Sequence, residues 1–115
     1  MKILLVTTNQ FGYLVDYHRY YTYLKKKNYD VKYVCYDYRK EKIEPDNPDI
    51  IYVKRTGNKL GKYSLFMRTI VEVEKKHNFD RIMIHVFPLV SLLSLFIDRK
   101  KVYLDIRTVS IHRKQ

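Results

Sequence analysis

The spacing of apolar residues changes several times along the chain, and each change marks an element. Ile3, Leu4, Leu5, Val6 and Thr7 form a continuous apolar run at the start. Such a run predicts a short strand buried on both faces, as in a parallel sheet. Asn9, Gln10 and Gly12 then supply loop chemistry. From Leu14 the period becomes helical, with Leu14, Tyr17, Tyr21 and Leu24 on one face and Lys25, Lys26, Lys27 and Asn28 closing it. Residues 31–36 are β-branched and aromatic and predict a second strand. Residues 37–48 are charged, contain Pro45 and Pro48, and read as a connection.

The second half repeats the alternation. Residues 50–53 predict a third strand and residues 55–58 a turn. Tyr63, Phe66, Ile70 and Val73 recur at helical spacing as far as Lys75, Lys76 and His77, with Asn78 and Asp80 ending that helix. Residues 81–85 predict a fourth strand. Pro88 suits the first turn of a helix through Phe96, where its missing N–H costs nothing. No charge falls between Leu89 and Ile97, so this helix is expected to be packed on most sides. Residues 101–105 predict a fifth strand. Strands alternating with helices in this order define an α/β fold: a Rossmann-like, open, mostly parallel sheet with helices on both faces.

Composition narrows the class. A chain of 115 residues fits one domain, and 46% hydrophobic residues suffice for a core. The one cysteine, Cys35, excludes an internal disulfide framework and suits a reducing compartment; at mid-strand it reads as a buried, inert thiol. No run approaches the roughly 18–20 apolar residues that span a bilayer. Met1 and Lys2 precede only a short apolar stretch with no small-residue cleavage site, unlike a secretory signal. A cytoplasmic domain is the expectation.

The charge is the unusual quantity: 23 basic and 12 acidic residues give +11. Such a surplus suits nucleic acid, an anionic membrane surface or a phosphorylated ligand. The basic clusters are spread along the chain, however, and three fall at predicted helix ends, where cations complement the helix dipole. The twelve tyrosines mostly occupy positions that a core or a strand face already requires, so nucleic acid is not the expected partner.

In sheets of this kind ligands bind beyond the carboxyl ends of the strands. That directs attention to residues 7–12, Asp37, Lys54, Arg55, residues 85–88 and residues 105–108. The glycine pattern of a dinucleotide fold is absent, since Gly12 stands alone in the first loop. Asp37 ends the second strand, where a ribose-binding acid would sit, but an ordinary surface-turn aspartate is the better explanation. A P-loop, an acidic pair after the first strand and a serine elbow are all missing. His18, His77, His85 and His112 are scattered, without a second ligand at metal-binding spacing. No metal site and no cofactor is predicted.

Several passages, taken together, resemble a known family. They are residues 2–7, Arg19 followed by Tyr23 and Leu24, residues 28–34, residues 79–85 ending in His85, and residues 102–108 with Asp105 and Arg107. In order and spacing they resemble the N-terminal, acceptor-side Rossmann-like domain of a GT-B glycosyltransferase of the retaining family-4 kind. The family usually carries a glycine pair in the first loop; here Gly12 stands alone. The resemblance implies transfer of a sugar from a nucleotide-sugar donor to a glycan or lipid-linked acceptor, without an obligatory metal. The donor would be held by a C-terminal domain that residues 1–115 lack, so the chain is expected to be truncated and inactive alone. Its ending at residues 111–115 without a returning helix fits that expectation.

On this resemblance His85 and Asp105 form the polar walls of the catalytic pocket. Main-chain N–H groups around Gly12 face the leaving diphosphate, Asn9 and Gln10 meet acceptor hydroxyls, and Arg107 pairs with an acceptor phosphate. Blander roles exist for each: a loop hydrogen bond for His85, a cap for Asp105 with Arg107 as its ion-pair partner, a simple turn for Gly12. A lipid-linked acceptor would place the protein at the inner face of a membrane, where a basic surface is favourable. The rival reading is a non-catalytic basic α/β module that binds a phosphorylated or nucleic-acid partner.

Overall fold

The structure, a computed structural model, describes residues 1–44, 46–55, 59–85, 87 and 90–105, with 59, 60, 91, 94 and 105 described by their backbone. Five strands, β1 (Lys2–Val6), β2 (Asp30–Asp37), β3 (Ile50–Lys54), β4 (Arg81–His85) and β5 (Val102–Asp105), form one sheet in the order β3-β2-β1-β4-β5. Every pairing is parallel. Helix α1 (Val15–Lys26) covers one face and α2 (Lys59–His77) the other. This is the open, doubly covered α/β architecture that the alternating pattern predicts.

Strand alternation sorts the core into two layers. Ile3, Leu5, Val31, Tyr33, Cys35 and Ile50 pack with Phe11, Tyr17 and Tyr21 on the α1 side. Leu4, Val6, Val34, Tyr36, Ile82 and Ile84 face Phe66 and Ile70 of α2. The central strand shows why the run at its start has no polar alternation: Leu4, Leu5 and Val6 are all fully buried.

Both helices end as their sequences suggest. Asn28 takes the left-handed conformation at φ 66°, while Asn28 N–H donates to Lys25 O and Tyr29 N–H to Leu24 O. These two bonds satisfy the last carbonyls of α1. Asn78, at φ 52°, does the same for α2. Glu74 extends that closure, accepting from Phe79 N–H and pairing with the largely buried Lys101 ammonium. Lys101 also donates to Asn78 Oδ1 and Phe79 O, which ties the approach to β5 to the end of α2.

One expectation needs correction. The apolar segment after β4 is a six-residue 3-10 helix, Val90–Leu95, and it is not packed on most sides. Leu93 and Ile97 are buried, but Leu95 is 74% and Phe96 65% exposed. Three residues per turn align Leu92 with Leu95 on one stripe, and that stripe faces outward. Strand β5 is likewise only half covered, with Tyr103 and Leu104 exposed at the sheet edge. The turn expected at residues 55–58 lies, apart from Arg55, outside the described residues, as does Pro88.

Candidate functional site at the carboxyl edge of the sheet

The reversal of strand order falls between β1 and β4, and the chain leaves both strands at the same edge. Pairing of Val6 with Ile84 brings Thr7 and His85 side by side, one step further along. Thr7 is fully buried, and its Oγ1 lies 3.3 Å from His85 Nδ1. The same oxygen accepts from Asn9 N–H at 3.3 Å. On the α1 side the ring of Tyr17 stands 5.7 Å from the imidazole. His85 therefore sits between a hydroxyl and an aromatic ring, half-buried at the carboxyl edge of the sheet.

Asp105 is the register partner of His85 across β4 and β5, so the two strands end together. Arg107 lies outside the described residues. Asn9 belongs to the loop above Thr7, where its main-chain N–H donates to the Thr7 hydroxyl.

Gln10 has a different place from the one its sequence position suggests. It is 1% exposed, and its amide is directed at the β2–β3 connection. Oε1 accepts from Tyr38 N–H at 2.9 Å and Lys40 N–H at 3.3 Å, while Nε2 donates to Lys40 O at 2.9 Å. A side chain so committed braces two loops. The acceptor-hydroxyl contact expected of it has no support in this geometry.

Gly12 also answers to packing. Its φ is +91°, and a Cβ there would lie 2.5 Å from Ile43 Cγ1. Glycine is needed because the first loop presses against Ile43 in a left-handed conformation. The start of α1 carries Asp16, a carboxylate placed to complement the helix dipole from within the chain. Gly12 thus has a structural reason of its own, and the diphosphate contact is not needed to explain it.

A concavity opens at the same edge, where β2 and β3 end. It measures about 420 Å³ and is lined by Asp37, Tyr38, Arg39, Lys54 and Arg55. Sequence reasoning singled out Asp37, Lys54 and Arg55 by their strand-end positions but had no signal that Tyr38 and Arg39 would join them. Burial elsewhere perturbs groups without making them reactive: the Cys35 thiol is pushed up to about 12 by desolvation, which keeps it protonated.

No protein-family model and no curated protein matches the chain. Among the described residues, no helix is long and apolar enough to cross a membrane.

Proposed function

We propose that the chain is the acceptor-side, N-terminal domain of a GT-B glycosyltransferase of the retaining family-4 kind. In that reading the acceptor hydroxyl oxygen bonds to the anomeric carbon of a nucleotide-sugar, the bond to the diphosphate breaks, the hydroxyl proton passes to the leaving diphosphate, and a second domain holds the donor. What supports it best is the strand order β3-β2-β1-β4-β5, which gathers Thr7, His85 and the end of β5 at one carboxyl edge. A crevice at such a switch point is where an open α/β sheet takes its ligands. His85, held by Thr7, and Asp105 line the acceptor pocket, and Arg107 meets an acceptor phosphate. The exposed Leu92, Leu95 and Phe96, with Arg99 and Lys100 close behind them in sequence, favour a lipid-linked acceptor at the inner face of a membrane.

The test begins with the reading frame beyond Gln115. A second βαβ domain there, with sugar transfer from one member of a nucleotide-sugar panel, is the expected result. In that enzyme His85→Gln lowers kcat/KM for the acceptor by about ten- to a hundredfold and leaves the KM for the donor unchanged. A stop codon directly after Gln115, together with no transfer by the chain, sinks the proposal.

A further inference from the structure

The concavity at the ends of β2 and β3 has no role in the reading above. Its last register pair is Asp37 with Lys54, so a carboxylate and an ammonium leave adjacent strands at one level. Arg55 follows Lys54, and its guanidinium lies 4.2 Å from the centre of the Tyr38 ring. Stacking of that kind holds the guanidinium plane in place while its edge N–H groups remain free to donate. Arg39 closes the rim.

A net charge of +11 means that unpaired cations are general on this surface, so charge alone does not single out the cleft. Two further features do. First, neighbouring cations elsewhere share a carboxylate: Lys25 and Lys32 both meet Asp49, and the largely buried Lys101 meets Glu74. Among the described residues, Arg39, Lys54 and Arg55 make no ion pair although they line one concavity. Second, the rim is fixed. Arg39 is held in the left-handed region at φ 63°, a costly conformation for a residue with a Cβ.

Every main-chain N–H from residue 38 to 40 is tied down there. Tyr38 and Lys40 donate to buried Gln10, and Arg39 donates to the Asp37 carboxylate at 2.8 Å. Such conformations persist only where the surroundings over-determine them. Here the surroundings do so by means of a buried amide from the first loop, and the result is a cationic cleft whose wall is set before any ligand arrives.

We propose that this cleft is a binding site for a phosphorylated, hydroxyl-bearing small molecule of the sugar-phosphate class. Its volume of about 420 Å³ lies within the 300–1,000 Å³ range typical of small-molecule sites. Lys54, Arg55 and Arg39 take the phosphoryl oxygens through charge-assisted hydrogen bonds. Asp37, which already accepts from Arg39 N–H and has Lys42 at 3.9 Å, takes a sugar hydroxyl with its remaining lone pairs. Gln10 is the positioning residue that sets the wall. The site stands independently of the transferase reading.

Titration of the ¹⁵N-labelled protein at about 150 mM salt with glucose 6-phosphate, inorganic pyrophosphate and glucose tests it, read at the Tyr38, Arg39 and Arg55 amides. Both phosphorylated probes should give saturable shifts and glucose none. Lys54→Ala with Arg55→Ala should weaken both by about tenfold or more. Lys26→Ala with Lys76→Ala removes the same charge from exposed helix ends and should change neither. Asp37→Asn separates the two probes: it should strengthen pyrophosphate binding by removing a negative charge and weaken glucose 6-phosphate by removing a hydroxyl acceptor. Equal weakening by both double variants, or shifts that spread over all basic clusters without saturating, would overturn the site. So would binding confined to vesicles containing phosphatidic acid, with both soluble probes silent, which would make the cleft a headgroup contact.

Discussion

At Gly12 the backbone takes φ +91° and has no room for a Cβ beside Ile43. Gly12→Ala should therefore cost about 2 kcal/mol, part from the left-handed backbone and part from contact. Urea unfolding measures it. Adding Ile43→Ala should return the contact part and leave the backbone part, whereas full recovery would mean that the loop tolerates alanine at this φ. Gln10 makes the companion point. As a polar residue in a strand-end loop it reads as a ligand contact, yet its partners are Tyr38 and Lys40, about thirty positions away. Nothing local in the sequence distinguishes an amide that faces solvent from one that braces a second loop. Cys35 is the opposite case, because a lone cysteine within an apolar strand is buried for reasons visible in the strand itself.

At the scale of elements, Asp49 joins the end of α1, strand β2 and the approach to β3. Its carboxylate accepts from Lys32 at 2.6 Å and Lys25 at 3.1 Å. Burial pushes the carboxyl up, and the two ammonium groups more than reverse that, leaving it below the ordinary range. A lowered folded-state value means stability that is present above the unfolded value, near pH 4, and lost as the pH falls through the folded one. Asp49→Asn should thus cost about 1 kcal/mol at pH 7, a modest figure because the pair is partly solvated. The difference from wild type should shrink as the pH falls below about 4. A difference that stays constant to pH 2 would assign the effect to packing. Lys25, raised chiefly by its hydrogen bond to Asp49, carries the converse dependence and loses its contribution only at strongly alkaline pH.

The strands and both long helices were legible because period, β-branching and the closing asparagines agree with one another. The segment at residues 90–97 was not. It is uncharged, with Ser91 and Ser94 as its polar residues, and composition does not say that a 3-10 helix will bury Leu93 while turning Leu92 and Leu95 outward.

At the scale of the whole molecule, stability should fall from the centre of the sheet to its edge. Leu4, Leu5 and Val6 are fully buried between two partner strands, whereas β5 is an edge strand with Tyr103 and Leu104 half exposed. Native-state hydrogen exchange should find the β1 amides exchanging only through global unfolding, and those of β5 through a smaller, local opening. Equal protection across the sheet would show that the Lys101 tie to Glu74 makes β5 one cooperative unit with the rest.

What the sequence determined by itself is the order of the five strands and the two long helices, since strand and helix periods are local properties that short windows of residues carry. From that order the parallel sheet, its two covered faces and the shared carboxyl edge follow through the handedness of crossover connections. Only the tertiary structure decided which loop residues meet. The pairing of Thr7 with His85, the bracing of the β2–β3 connection by Gln10, and the gathering of Arg39, Lys54 and Arg55 around Asp37 each join residues that are distant in the chain. Such contacts depend on register and on the shapes of loops, and a one-dimensional pattern holds neither.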